Sequence, residues 1–175
     1  MNDITGTEPV GVADDPVDFL PQGARIVVGV DGSAASVVAL RTAARLAALT
    51  GASIDALGVW ELSFAYGYGE AHAHGAGMQT GWSPEHDADK QLTATVDEAF
   101  GADRPAGLRT SLLSGNPAKR ILEHAQGASL IVLGSRGHGP FAGLMLGSVS
   151  TKCAAAAPCP VLIVHARAEA GHDRS

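Results

Sequence analysis

The sequence predicts an α/β protein, a mostly parallel sheet of five strands with helices on both faces. Three observations carry this. Short apolar runs rich in Val, Ile and Leu recur (R-I-V-V-G-V at 25–30, L-I-V-L at 130–133, V-L-I-V at 161–164), and such runs read as strands buried on both faces. Between them lie stretches whose apolar residues have helical spacing. The 130–133 run stops at Gly134, and glycines at 134, 137, 139, 143 and 147 precede Ser148, where a helix opens.

The elements follow in order. Residues 1–22 hold Asp3, Glu8, Asp14, Asp15 and Asp18 among prolines, and read as a disordered or loosely attached tail. Arg25 to Val30 is the first strand, ended by Asp31-Gly32-Ser33. Ser33 or Ser36 caps the next helix, where Val37, Leu40, Ala44, Ala47 and Ala48 are expected inward, Arg41 and Arg45 elsewhere, and Thr50-Gly51 stops it. Ser53 to Trp60 is the second strand. The 61–83 stretch mixes glycines with Tyr66, Tyr68, His72, His74 and Trp82 without a period, and is long for a connection in a compact domain. Ser83-Pro84 starts the second helix, with Pro at N1 and a stripe of Leu92, Val96, Ala99 and Phe100. Gly107 to Leu113 is the third strand. Ser114-Gly115-Asn116-Pro117 leads into the third helix, with Ile121, Leu122 and Ala125 inward. Ser129 to Leu133 is the fourth strand, 148–157 the fourth helix, Pro160 to Val164 the fifth strand, and 167–175 a polar tail. The domain proper is then 23–166.

Because crossovers are right-handed, ligands collect outside the carboxyl ends of the strands where the winding reverses. The order along the chain does not say which two strands flank that crevice. The loops after the first strand and after Leu133 are best equipped for it.

Composition narrows the function. The 175 residues suit one domain with a real core, and no apolar run is long enough to span a membrane. The acidic start M-N-D-I-T-G-T-E-P-V lacks the pattern of a signal peptide. A net charge of −6 speaks against nucleic acid as the partner. Cys153 and Cys159 match no metal or redox spacing and read as small buried residues. A cytoplasmic protein is expected.

The glycine stretch carries the chemistry. Glycines after a strand let backbone N–H groups approach a ligand, and Ser148 sets a hydroxyl beside a partly positive helix end. Strand, glycine loop and helix N-terminus together bind phosphate. No lysine follows these glycines, so this is not a Walker A loop. Gly137-x-Gly139-x-x-x-Gly143 is a loose match to a dinucleotide fingerprint, but it follows the fourth strand, and no acidic residue ends C-P-V-L-I-V to hold a ribose.

The remaining pattern is Gly134-x-x-Gly137, nine residues, then Gly147-Ser148. Here the chain resembles the universal stress protein family, in its ATP-binding branch. Four elements carry the resemblance: V-V-G-V-D-G-S at 27–33, S-G-N-P-A at 114–118, L-G-S-R-G-H-G-P-F-A-G-L-M-L-G-S-V-S at 133–150 and C-P-V-L-I-V at 159–164. They span roughly 24–165. The resemblance implies a doubly wound, five-stranded, Rossmann-like fold of the adenine nucleotide alpha hydrolase-like kind, and a homodimer paired through the last strand, Val161–Val164. It implies that Asp31 lies by ribose and adenine, and that backbone near Val59 holds the adenine edge. It implies further that Gly134, Gly137 and Gly147 take ribose and phosphates, Ser148 binds phosphate, and Gly115 closes the pocket. With their motif neighbours the candidate binding set is Gly29, Val30, Asp31, Ser33, Val59, Gly115, Leu133, Gly134, Ser135, Arg136, Gly137, His138, Gly139, Gly147, Ser148 and Val149.

Arg136 is the one cation beside the phosphates. No lysine clamps a γ-phosphate and no carboxylate in the loop positions water or Mg²⁺, so binding with slow or absent turnover is expected. Asp31 and His138 are the only nearby candidates for chemistry. Asp31 reaches Mg²⁺ at most through the phosphates, and no catalytic residue is assigned. His72, His74, Glu70 and His86 read as solvated rather than as a metal site. The leading reading is an ATP-dependent sensor or regulator with an unknown protein partner. The alternatives are a slow ATP-hydrolysing or dinucleotide-using enzyme on the same scaffold, and a nucleotide-free interaction scaffold, against which the intact glycine set speaks.

Overall fold

The computed structural model describes residues 20–21, 23–61, 83–135, 137 and 146–166. Within them the elements are β1 (Arg25–Val30), α1 (Ala34–Thr50), β2 (Ser53–Trp60), α2 (Pro84–Phe100), β3 (Leu108–Ser114), α3 (Pro117–His124), β4 (Leu130–Gly134), α4 (Ser148–Ala156) and β5 (Val161–Val164). The strand order is β3-β2-β1-β4-β5, and every pairing is parallel. The chain winds outward from β1 to β3, returns to β4 on the other side of β1, and winds outward again to β5. This is the expected doubly wound α/β sheet. The tails apart from Leu20 and Pro21, and the 61–83 stretch apart from Glu61 and Ser83, lie outside the described residues; Leu20 is buried in the core, so the end of the expected loose tail is packed down.

Side chains alternate along each strand and so divide between two layers. Ile26, Val28, Ile54, Ala56, Leu130 and Val132 pack with Leu40, Ala43, Leu92 and Val96 of α1 and α2. Val27, Leu57, Ile131 and Leu133 pack with Ala118 and Ile121 of α3 and Cys153 of α4. Burial of Leu40 alone is worth about 1.5–3 kcal/mol. Burial also pushes the Cys153 thiol up. The half-buried Cys159 is raised by burial too, against the lowering pull of the Arg25 guanidinium.

The helices start where their caps stand. Ser33 Oγ accepts from Ser36 N at 3.2 Å, Ser83 Oγ from His86 N at 3.3 Å and Asn116 Oδ1 from Lys119 N at 3.2 Å. Arg41 is exposed, as expected, and its guanidinium closes the carboxyl end of α2 by donating to Ala99 O at 3.2 Å and Glu98 O at 2.8 Å.

Two details differ from the sequence reading. In α1 the buried set is Ala35, Ser36, Val37, Ala39, Leu40, Ala43 and Ala47; Ala44 is partly buried and Ala48 exposed. Alanine on nearly every face leaves the helical period little contrast to select a side. β3, β4 and β5 also begin one residue later than expected. The φ of +77° at Gly107 still belongs to the turn before β3, and Pro160 has no N–H to give the sheet.

At the amino ends of the strands, Asp55 stands in the apolar run of β2. Its Oδ1 accepts from Ser111 Oγ at 2.8 Å, and its Oδ2 lies 2.6 Å from His124 Nε2 and 3.6 Å from Arg25 Nη1. Arg25 in turn donates to His124 O at 3.0 Å and Gln126 O at 2.9 Å, which ties β1 to the end of α3. Removing Asp55 takes from its part-buried partners the acceptor they share. Asp55→Ala is expected to cost about 2 kcal/mol in urea denaturation, and Asp55→Leu/His124→Leu to recover part of that loss. An unchanged midpoint in Asp55→Ala would show that the cluster contributes nothing to stability.

Candidate functional site

The winding reverses between β1 and β4, so the crevice opens where Val30 and Gly134 end their strands. Asp31 turns the chain there. Its Oδ1 accepts from Ser33 N at 3.1 Å and from Ser33 Oγ at 2.6 Å, which fixes the carboxylate over the start of α1. Gly32 follows with φ +81°, a conformation that side chains other than glycine rarely adopt. The Asp31 carbonyl accepts from Gln91 Nε2 of α2 at 2.7 Å.

Gly137 comes back against this turn. A Cβ at Gly137 would collide with Asp31 Oδ2, so the bare backbone lies directly on the carboxylate. The glycine loop is closed at its base by two hydrogen bonds. Gly147 N donates to Ser135 O at 2.7 Å, and Ser150 Oγ donates to Gly134 O at 2.7 Å. Ser135 N is occupied by Val164 O of β5, at 2.7 Å.

At Gly134 the space of the missing side chain is filled by Ala35, whose Cβ would stand 2.7 Å from a Cβ at position 134. This glycine therefore lets the first turn of α1 settle onto the end of β4. α4 begins at Ser148 with Gly147 as its cap residue, and no side chain caps it. Its first helical hydrogen bond runs from Thr151 N to Gly147 O at 2.9 Å, so the N–H groups of Ser148, Val149 and Ser150 precede the helical ladder at the end that attracts anions. Ser148 is exposed beside them.

On the other side of Asp31 lies a cleft of about 240 Å³ lined by Val30, Asp31, Gly58, Val59, Ala88, Gln91, Leu92 and Leu112. Ligand pockets measure about 300–1,000 Å³, so this smaller space suits a base rather than a whole nucleotide. A larger shallow groove of about 510 Å³ runs between α3 and α4 over Ala118, Leu122 and Ala155, with Lys119, Glu123 and Lys152 also lining it. Asn116, at the start of α3, also lines it.

The structure thus brings Val30, Asp31, Ser33, Val59 and Gly137 to one sheet end, with Gly134, Ser135, Gly147, Ser148 and Val149 at the base of the glycine loop. The Leu133 side chain is buried in the α3/α4 layer. Gly29 makes room for it, since a Cβ there would stand 2.5 Å from Leu133 Cδ2. Gly115 N donates to Trp60 O at 2.8 Å, and the side of Gly115 where a Cβ would stand faces Arg120. Arg136, His138 and Gly139 lie outside the described residues, as do Glu70, His72 and His74. As lining residues, sequence reasoning missed Gly58, Ala88, Gln91, Leu92 and Leu112. Nothing marks Gln91 in the sequence, because only the sheet order brings α2 beside the end of β1.

The sequence model described as the universal stress protein family matches residues 24–165. A universal stress protein of Mycobacterium tuberculosis is 32% identical over 144 residues, 80% of this chain and 47% of that protein. The chain therefore spans about half the length of the mycobacterial relatives it matches. The universal stress protein YxiE of Bacillus subtilis is 34% identical over 153 residues, 80% of this chain and 97% of that protein. A solved universal stress protein in complex with cAMP superimposes with a TM-score of 0.53 at 25% identity, covering 83% of this chain and 99% of that one. By the extent of the sequence match and by its fold, the chain belongs to the universal stress protein family.

Proposed function

We propose that this protein binds ATP and acts as a nucleotide-dependent regulator in the cytoplasm, as a homodimer, with little or no hydrolysis. The observation that carries this reading is the position of Asp31. Its residue lines the base-sized cleft on one side, and its carboxylate touches Gly137 of the glycine loop on the other. A nucleotide laid across it would place its base in the cleft, its ribose beside Asp31 and its phosphates toward the open start of α4. Glycine backbone at 137, the Ser148 hydroxyl and the uncapped N–H groups of Ser148, Val149 and Ser150 form a donor set that suits a polyanion in an acidic chain.

Residues 133–150 contain no lysine and no carboxylate, and Asp31 Oδ1 is already engaged by Ser33. Mg²⁺ would then be held chiefly by the phosphates, with Asp31 in reach. A donor set without a base or a clamp for the leaving phosphate supports binding over turnover. Regulation would follow from different affinities of ATP for two states that a protein partner distinguishes. The cAMP bound by the solved relative favours a second reading, an adenine nucleotide with fewer phosphates. Among the described residues no helix is long and apolar enough to cross a membrane.

The first test is mass spectrometry of nucleotides released by heating the purified protein, with titration of ATP, ADP and cAMP. ATP is expected in the released fraction. Gly137→Ala should push the Asp31 carboxylate off Ser33 and weaken ATP binding about tenfold, equivalent to about 1.4 kcal/mol. Preferential retention of cAMP moves the assignment to the second reading. No binding of any adenine nucleotide at millimolar concentration overturns both.

The dimer is tested at β5. Ile131 N donates to Pro160 O and Ser135 N to Val164 O, so by alternation Val161 and Ile163 direct their backbone groups to the free edge. Among the described residues β5 pairs with β4 alone, and such an edge invites a second copy. Ile163→Pro removes an outward N–H without touching the β4 ladder. Sedimentation is expected to show a dimer for the native chain and a monomer for Ile163→Pro with an unchanged circular dichroism spectrum. A native monomer rejects the pairing.

A further inference from the structure

Gln91 is held in a way that gives its carboxamide one orientation. Its neighbour Leu92 is buried and packs near Gly58, which fixes the backbone of α2 at the cleft wall. The Gln91 side chain lies across the Asp31 turn. A Cβ at Gly32 would run into its Nε2 and would stand 2.8 Å from Cδ and 2.9 Å from Cγ. Its Nε2 donates to Asp31 O at 2.7 Å. Turning the amide over would set Oε1 against the Asp31 carbonyl, acceptor facing acceptor, so the donor end belongs to the turn. Oε1 is left as an acceptor with no hydrogen bond among the described residues. The other side chains around the cleft are mostly apolar: Val30, Val59, Ala88, Leu92 and Leu112.

We propose that Gln91 selects the base: its Oε1 accepts from the exocyclic amine of a 6-aminopurine and rejects a 6-oxopurine. The inference rests on the reading above that a nucleotide base occupies this cleft. The physical ground is the cost of an unmatched polar pair. An amino group at C6 satisfies Oε1, whereas a carbonyl there confronts it with a second acceptor and leaves both without a donor. The same side chain orients the carbonyl of the Asp31 turn, so one residue couples recognition of the base to the carboxylate beside the ribose.

The test compares ATP with inosine triphosphate, which carries a 6-oxo group in place of the 6-amino group. Binding is measured by calorimetry on the full chain. The native protein is expected to prefer ATP. Gln91→Ala should lower the ATP-to-ITP affinity ratio about fivefold to tenfold, chiefly by weakening ATP, with the melting temperature unchanged because the side chain is exposed. Gln91→Glu keeps an acceptor but loses the donor to Asp31. It should bind ATP more weakly than native while retaining more of the preference than Gln91→Ala.

Equal losses of ATP and ITP in Gln91→Ala would overturn the proposal and leave Gln91 as a brace for the turn. A native protein that binds both nucleotides equally also overturns it, with nucleotide binding itself intact. A native protein that binds neither overturns the nucleotide reading and this inference together.

Discussion

The pairing of β1 with β4 is the contact on which the site depends. It joins Ile26, Val27 and Val28 to Leu130, Ile131 and Val132 at the centre of the sheet, between two windings that run in opposite directions. α1 starts beyond the end of β1 and packs over both strands, while α4 leaves β4 toward β5. Two close approaches keep that junction narrow. Gly134 admits the first turn of α1 over the end of β4, and Gly29 admits Leu133 beneath β1. A side chain at Gly134 would push against Ala35, and with it the Ser33 cap and the Asp31 carboxylate that Ser33 holds.

Much of this was legible in the sequence, for reasons that differ by element. The β-branched runs gave the strands because only a doubly covered sheet accepts such continuous apolarity. Ser33, Ser83 and Asn116 gave the helix starts because a side-chain oxygen there meets backbone N–H groups that have no other partner. The buried face of α1 was poorly legible because alanine carries almost no contrast between inside and outside. Of the cleft walls, Val30 and Val59 were legible, but those supplied by α2 and β3 were not. Which strands flank the crevice is set by long-range pairing, and Gln91 acquires its place only when α2 packs beside β1. The glycine spacing at 134, 137 and 147 pointed to the carboxyl end of the sheet, where Asp31 and the cleft also lie, although Gly134 has a packing role as well that the motif does not express.

The two ends of the sheet carry different duties. At the amino ends Asp55, His124, Arg25 and Ser111 satisfy one another, and Arg25 ties the start of β1 to the carbonyls at the end of α3. At the carboxyl ends the polar groups are left with capacity to spare: the exposed Asp31, the open start of α4 and Gln91 Oε1. Asp55 was a visible signal, a charge inside an apolar strand, and it marks cohesion rather than chemistry. A buried polar group with every partner in place reports on the fold, whereas groups that converge on a cleft without being saturated report on a ligand.

The two hydrogen bonds that close the base of the glycine loop have an evolutionary consequence. Ser135 with Gly147 and Gly134 with Ser150 bring the loop's ends together independently of what lies between them. The entropy of closing a loop changes only slowly with its length, by about 0.6 kcal/mol for each doubling. Insertions and substitutions between the clamps can therefore accumulate at small expense to folding. A scaffold built this way can change what the loop presents at this end of the sheet while inheriting the sheet, the helices and the Asp31 turn unaltered.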